Sequence, residues 1–375
     1  MCFFLAVKKI IYIIIYIKEV KIVDIKFIKN DHLKAKPDFN NVGFGKYFTD
    51  YMFMVDWYSD KGFCDAKIMP YGPIEFDPAA LVLHYAQETF EGLKAYKTSD
   101  DRVLLFRPDM NAKRFQRSNE RLCMPKVSVT DFIEAIAKLV SIERDWIPSS
   151  RGSSLYIRPF MFAYEAKLGV HAANHYKFMI VCSPVNNYYK EGLKPVKIYV
   201  EDSLVRAVVG GTGFTKCGGN YAASILAQAK AEALGFSQVL WLDGVNHKYV
   251  EEVGTMNVMF VINDTIYTSP LNGSILPGVT RDSIITILKD KGYNVVERAL
   301  AIDELIESAK NGELTEAFGT GTAAVISPIG TLKYKNDVFF NNEKIGPISQ
   351  MLYDTLIDIQ RGDIEDKFNW TYEVK

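Results

Sequence analysis

The chain has 375 residues, 48% of them hydrophobic, which is enough to bury a sizeable core and, at roughly 150 residues per domain, to form about two domains; a globally disordered chain is excluded. Lysine and arginine number 44 against 45 aspartates and glutamates, a net charge of −1, so no overall field draws nucleic acid or a membrane surface. A small-molecule partner is favoured.

The amino-terminal stretch from Phe3 to Ile17 is nearly all apolar, but Lys8 and Lys9 interrupt it. The clean run Ile10 to Ile17 falls short of the roughly 18 to 20 residues that a spanning helix needs. Lys18-Glu19-Val20-Lys21 offers no small-residue cleavage site, and arginine is absent before position 102, so neither a secretory signal nor a mitochondrial presequence fits. Residues 1–20 read as an atypical apolar arm or as the product of a start codon placed too early.

Beyond the arm, strands and helices alternate without repeats. Asp50 to Trp57 and Lys177 to Val185 read as strands, and Met110 to Leu122 and Asp131 to Ile142 carry helical spacing of apolar residues. The polar, turn-forming run Asn186 to Pro195 separates two strand-like segments. This places an interdomain linker at 190–195, between a domain at 21–189 and one at 196–375. The five cysteines, Cys2, Cys64, Cys123, Cys182 and Cys217, are odd in number and widely spread without a Cys-x-x-Cys, which reads as a reduced, cytoplasmic set of thiols. His171 and His175 are spaced as helical metal ligands can be, but no cysteine or carboxylate clusters with them in sequence, so no metal is expected.

Early in the second domain comes the densest punctuation of the chain: Val208 to Tyr221 crowds five glycines around Lys216. Glycine at that density is tolerated where the backbone takes unusual dihedrals or another group approaches closely. A Walker-type loop needs glycine before its lysine and Ser or Thr after it, whereas Lys216 lies between Thr215 and Cys217. A dinucleotide fingerprint fails as well, because Lys216 stands where its third glycine belongs. Two readings stay open on the residues alone: a lysine acting as a chemical agent in a confined site beside Tyr221, or a glycine-rich hairpin whose lysine faces solvent.

Three further segments bear on the choice. Glu251-Glu252-Val253-Gly254-Thr255-Met256-Asn257 puts a carboxylate just before an apolar strand, where burial is costly without a cationic partner such as a protonated ring nitrogen. Leu276-Pro277-Gly278-Val279-Thr280-Arg281 opens a helical pattern running to Lys289, so the amides of Val279 and Thr280 would point outward where an anion binds well. Phe318-Gly319-Thr320-Gly321-Thr322-Ala323-Ala324 adds a small-residue turn with hydroxyls and exposed amides. Each is also what an ordinary strand end or helix cap looks like.

Taken in this order, from about Lys36 to the carboxyl end, these segments resemble the branched-chain-amino-acid aminotransferases, pyridoxal-phosphate enzymes of fold type IV. The resemblance includes Phe44-Gly45-Lys46, Phe48-Thr49-Asp50, Phe90-Glu91-Gly92-Leu93-Lys94-Ala95, Leu155-Tyr156-Ile157-Arg158-Pro159 and Leu271-Asn272-Gly273. It implies an α/β (α+β mixed) chain with a smaller amino-terminal domain and a larger carboxyl-terminal pseudo-barrel domain, the cofactor pyridoxal 5'-phosphate lying between them. It also implies a homodimer in which a loop, here around Gly169-Val170, closes the partner's pocket.

Residue roles follow from the same resemblance. Lys216 is the Schiff-base lysine and the base that moves the proton at the substrate α-carbon. Glu252 matches the carboxylate on the pyridine nitrogen, leaving Glu251 as a solvated strand residue. Arg114 matches the arginine on the cofactor phosphate, with Arg117 and Arg121 on the same helix face. Tyr221 corresponds to the tyrosine near the phenolic oxygen, and Val279, Thr280 and Thr322 to phosphate-binding positions. Phe44, Tyr85, Tyr156 and Tyr188 match the walls of the aliphatic side-chain pocket, and the amides of Thr255 and Ala323 the grip on the α-carboxylate. Arg158 matches an arginine that receives the side-chain carboxylate of glutamate.

The implied reaction is the reversible transfer of the amino group of L-leucine, L-isoleucine or L-valine to 2-oxoglutarate, giving L-glutamate. Tyr156 with Arg158, and the chain length, argue against two other fold type IV enzymes, the D-amino acid aminotransferases and the aminodeoxychorismate lyases. A pyridoxal-phosphate-binding protein without turnover is the rival from another class. The chain departs from mammalian members, which carry a redox Cys-x-x-Cys where Ala324 and Ser327 stand here, so thiol switching of that kind is not expected. Cys217 replaces the usual Leu or Met, and if exposed it would make the site sensitive to oxidants.

Overall fold

The computed structural model describes residue 22, residues 24–186 and residues 193–375. The apolar arm at 1–20, Tyr188 and the start of the linker lie outside the described residues.

The first part of the chain comprises β1 (Lys26–Phe27), β2 (Tyr51–Tyr58), β3 (Gly62–Pro70), α1 (Leu81–Tyr85), β4 (Glu88–Phe90), β5 (Leu93–Lys97), β6 (Val103–Phe106), α2 (Pro108–Arg121), α3 (Val129–Ile142), β7 (Ser154–Ala163) and β8 (His175–Val185). The second comprises β9 (Val196–Glu201), α4 (Gly218–Ala233), β10 (Gln238–Leu242), β11 (Val250–Val253), β12 (Met256–Ile262), β13 (Thr265–Thr268), α5 (Val279–Asp290), β14 (Asn294–Glu297), α6 (Ile302–Lys310), β15 (Leu314–Gly321), β16 (Val325–Tyr334), β17 (Asp337–Asn341), α7 (Pro347–Arg361) and β18 (Thr371–Val374).

In β2 the alternation of a pleated strand sorts side chains to two faces. Phe53, Val55 and Trp57 join the core under α2 and α3, while Met52 and Met54 join Phe162 and Met179 on the other face. Helix α3 starts because the Ser128 hydroxyl accepts the Asp131 amide at 3.0 Å. It buries Phe132, Ala135, Ile136, Leu139 and Val140, one helical stripe, against Phe115 of α2 and Phe178 of β8. Both helices begin two residues before their apolar spacing does, at Pro108 and Val129.

The first sheet runs β1-β3-β2-β8-β7-β5-β6-β18, with β4 on β7. In the second sheet β11, β10, β9, β16, β15 and β12 pair in turn, and β12 pairs back to β11, so these six strands close into a ring. The last strand leaves its own half of the chain: β18 pairs antiparallel with β6, Thr371 opposite Phe106 and Val374 opposite Val103. A mixed apolar cluster, in which Tyr96 and Phe106 pack with Ile284, Leu288, Phe318, Leu352 and Leu356, joins the two sheets. The site lies where they face each other.

Candidate active site

A cavity of about 280 Å³ opens between the sheets, and its walls come from both. Phe90 and Gly92 flank the β4–β5 junction, Arg114 projects from α2, and Tyr156 and Arg158 stand two apart on β7. Lys216 precedes α4, Tyr221 lies in its first turn, Glu252 and Thr255 flank the β11–β12 turn, Val279 and Thr280 begin α5, and Thr322 and Ala323 form the β15–β16 turn. With Phe44 these are the residues that the sequence singles out. Tyr85 is the exception among those described: it is 40% exposed at the end of α1, and its hydroxyl accepts the Gly169 amide at 3.1 Å instead of lining the cavity of its own chain. Tyr188 lies outside the described residues.

Lys216 is held at three points. Its amide donates to Ser118 Oγ of α2 at 3.0 Å, its carbonyl accepts the Phe90 amide at 3.0 Å, and its Nζ lies 2.9 Å from the Tyr221 hydroxyl. The ammonium also sits 4.8 Å above the Phe90 ring. No carboxylate salt-bridges it among the described residues, so the amine faces the cavity restrained by a phenol and an aromatic face.

The glycines around Lys216 are not themselves cavity walls. A Cβ on Gly213 would overlap the Ser274 carbonyl oxygen, and one on Gly218 would overlap the Glu88 carboxylate, which accepts the Gly218 amide. The groups approaching these glycines belong to the protein, and the close contacts fix the backbone that presents the lysine. Arg121, expected on the Arg114 face, instead donates to the Gly211 and Gly210 carbonyls from the outside, and Arg117 is exposed and does not line the cavity.

Glu252 is buried, and its Oε1 accepts the Leu276 amide at 2.9 Å and Asn257 Nδ2 at 3.2 Å. Arg206 Nε lies 3.2 Å from Oε2, close enough for an ion pair but without the angle of a directed hydrogen bond. Burial pushes the Glu252 carboxyl up against the opposing pull of Arg206 and the Leu276 amide. A cation docking on it would draw it down again. Glu251 is not the solvated residue expected: all four residues of β11 are buried, and Glu251 accepts the Ser274 hydroxyl. The loop that carries Ser274 covers the face of β11 that Glu251 presents, so the side expected to be wet is dry.

Arg114 is 3% exposed and forks onto Glu91 through Nε at 2.7 Å and Nη2 at 2.8 Å, while Nη1 reaches the Pro277 carbonyl at 3.1 Å. Burial alone would raise the Glu91 carboxyl; the Arg114 charge overrides it and holds it below the ordinary carboxylate value. Arg114 is thereby aimed at the start of α5, with N–H groups to spare. There Gly278 gives no side-chain cap, so the first amides of α5 stay open toward the cavity.

The opposite wall is a strained turn. Val325, next to it, has φ +63°, a left-handed conformation rare for a β-branched residue. Lys94, buried on β5 of the first sheet, spans to this turn and donates to the Ala323 carbonyl at 2.9 Å, with burial pushing its amine down to about 8. Glu91, Lys94, Asn257 and Arg206 support the site, and no local pattern marks most of them for that role. Asn257, a lone polar residue in the apolar run of β12, is the one that a local signal could have found.

On the remaining wall Arg158 Nη2 lies 3.1 Å from the Tyr156 hydroxyl, its guanidinium is 4.8 Å from the Phe90 ring, and the Phe44 and Tyr156 rings meet edge-on at 5.0 Å. Among the described residues, Arg158 Nε and Thr320 Oγ1 are buried in the lining without a hydrogen-bond partner. Cys217 is 4% exposed and burial pushes its thiol up, so the condition for oxidant sensitivity, an exposed thiolate, is not met.

A family model for class IV amino-transferases matches residues 88–332. Among curated proteins, branched-chain-amino-acid aminotransferase 2 of Bacillus subtilis is 56% identical over 91% of this chain and 94% of its own length. A probable branched-chain-amino-acid aminotransferase of Staphylococcus aureus is 57% identical over 92% and 97%. Among solved structures, the Escherichia coli branched-chain amino acid aminotransferase superposes with TM-score 0.73 at 25% identity, over 87% of this chain and 99% of that one. A T.th. branched-chain amino acid aminotransferase with pyridoxamine 5'-phosphate does so with TM-score 0.70 at 28% identity, over 86% and 98%. The fold, the cavity and these likenesses agree: the chain belongs to the class IV aminotransferases, within the branched-chain-amino-acid aminotransferase family.

Proposed function

We propose that the chain transfers the amino group of L-leucine, L-isoleucine or L-valine reversibly to 2-oxoglutarate, using pyridoxal 5'-phosphate. The observation that carries this is one cavity holding, on separate elements, the Lys216 amine, the Glu252 carboxylate backed by Arg206, and the open start of α5 beside Arg114. The donor set fits that cofactor: an uncapped helix start and Thr320 Oγ1 suit a phosphate, and a buried carboxylate suits a protonated ring nitrogen. When bound, pyridoxal 5'-phosphate supplies the electron sink.

The chain's own residues do the rest. Lys216 Nζ is the attachment point and then the base that takes the proton from the substrate α-carbon, with the Tyr221 hydroxyl orienting it. Arg114, Val279, Thr280 and Thr322 hold the phosphate, and Glu252 keeps the ring nitrogen charged. The amides of Thr255 and Ala323 grip the α-carboxylate. Phe44 and Tyr156 bury the branched side chain, each methylene worth roughly 0.8 kcal/mol. Arg158 takes the side-chain carboxylate of glutamate.

The division into domains at 21–189 and 196–375 accords with the two sheets, with β18 returned to the first. We place the enzyme in the cytoplasm as a homodimer; no helix among the described residues is long and apolar enough to cross a membrane. Leu168 and Val170 are 68% and 81% exposed beside Tyr85, which suits a loop that closes a partner's pocket and gives Tyr85 its place there.

The test is a half-reaction panel on the holoenzyme, following cofactor absorbance with each L- and D-amino acid. Loss of the absorbance with L-leucine, L-isoleucine, L-valine and L-glutamate is expected, and its abolition in Lys216→Ala. A yellow protein that leaves L-leucine and 2-oxoglutarate unchanged, or that answers only to D-amino acids, would refute the proposal.

A further inference from the structure

A second cavity, of about 430 Å³, adjoins the first and shares with it Phe44, Phe90, Tyr156 and Arg158. Its walls are otherwise apolar or uncharged, with two exceptions among the described residues: Arg158 and Glu88. The register explains why both point there. Strand β4 pairs antiparallel with β7, Glu88 opposite Phe162 and Phe90 opposite Phe160, so Glu88 and Phe90 share a face with Tyr156, Arg158 and Phe160. Arg158 lies on the Phe90 ring between them.

Arg158 is poorly provided for. Its Nη2 has only the neutral Tyr156 hydroxyl, and its Nε is buried with no partner. A half-buried guanidinium whose Nε lacks a partner favours an anion beside it. With glutamate or 2-oxoglutarate bound, the substrate brings that anion; with leucine bound, it does not. Among the described residues, Glu88 is the anion that lines this cavity, half-buried and fixed by accepting the Gly218 amide. Burial pushes its carboxyl up, against the pull of that amide and of the Arg158 charge.

We propose that Glu88 is a specificity-determining residue: its carboxylate offsets Arg158 in the side-chain cavity and keeps that cavity open to branched aliphatic as well as dicarboxylic substrates. The inference rests on reading this cavity as the side-chain site. An unopposed Arg158 would favour dicarboxylates and disfavour aliphatic chains. Glu88 therefore weakens glutamate and 2-oxoglutarate binding while making leucine, isoleucine and valine acceptable.

The experiment uses the holoenzyme and two non-reacting probes, glutarate and 4-methylvalerate, with dissociation constants from calorimetry. Glu88→Gln keeps an acceptor oxygen for Gly218 and removes the charge; Glu88→Asp keeps the charge on a shorter arm. In Glu88→Gln the preference for glutarate over 4-methylvalerate should rise roughly five- to tenfold, the size of one partly screened charge interaction. In Glu88→Asp it should stay within about twofold of the parent, and in an Arg158→Met background Glu88→Gln should no longer change it. An unchanged ratio in Glu88→Gln overturns the proposal, as does an equal change in Glu88→Asp, which would assign Glu88 to the Gly218 contact alone. Turnover of L-leucine with 2-oxoglutarate is assayed separately, so an inactive parent refutes the aminotransferase reading while the binding ratio still reports on Glu88.

Discussion

Replacing Glu91 by glutamine tests how the Arg114 side of the cavity is built. Glu91 is 0% and Arg114 3% exposed, and the fork between them is bidentate at 2.7 and 2.8 Å. Removing one partner of a buried pair leaves an uncompensated charge and costs about 3 to 5 kcal/mol. Because the amide keeps one acceptor for Asn111 or Arg114, the lower figure, ~3 kcal/mol, is expected. Unfolding entropy of ~2.1 cal/mol/K per residue over 375 residues amounts to ~0.8 kcal/mol/K, so the melting temperature should fall by ~4 °C in scanning calorimetry of the cofactor-free protein. The Glu91→Met/Arg114→Met double variant, with both charges gone, should lose less than the single one. Since the folded carboxyl is held below its ordinary 4.5, the parent's advantage is complete above that value and is lost as pH falls through the lower folded one. A melting temperature within about 1 °C of the parent at pH 7 would show that the pair is not the buried fixture described.

Lys94→Met should separate stability from binding. Burial lowers the Lys94 amine to about 8 from 10.5, so keeping it charged in the fold is a penalty that is full below pH 8 and vanishes as pH rises past 10.5. The variant should therefore melt higher than the parent at pH 7, while the untethered Ala323 turn weakens binding of 4-methylvalerate by roughly tenfold; unchanged binding would deny Lys94 any hold on the turn. Gly213→Ala should force Ser274 and the Arg206 contacts apart, lowering stability by about 2 kcal/mol and speeding release of pyridoxal 5'-phosphate. Gly219→Ala, where a Cβ meets open space, is the control, and equal behaviour of the two variants would remove the close approach at Gly213 as a cause.

Lys216, Glu252 and Val279-Thr280 can be picked out of the sequence as candidates because each sits in a short segment with its own local pattern (glycine density, a carboxylate at a strand's edge, a helix start), and it is the ordered resemblance of these segments that gives them roles. The supports of the site cannot, because their partners are remote. Arg206, in the connection between β9 and α4, meets Glu252 of β11, and Lys94 of one sheet meets Ala323 at the edge of the other. Glu251 misleads for a related reason, since alternation predicts one wet face and the remote loop bearing Ser274 covers it. Tyr85 has the right neighbours in sequence but is exposed at a helix end, and no local pattern says whether an aromatic serves its own chain or another.

The return of β18 to β6 bears on how this molecule is made. Val103–Phe106 leaves the ribosome early, yet the strand that covers this edge is not synthesised until Thr371–Val374. Until then the first sheet carries an unpaired rim, the kind of edge that recruits other chains. A fragment ended at Tyr189 would expose that rim permanently, so the amino-terminal half expressed alone should aggregate, and a peptide spanning residues 364–375 supplied in trans should rescue it.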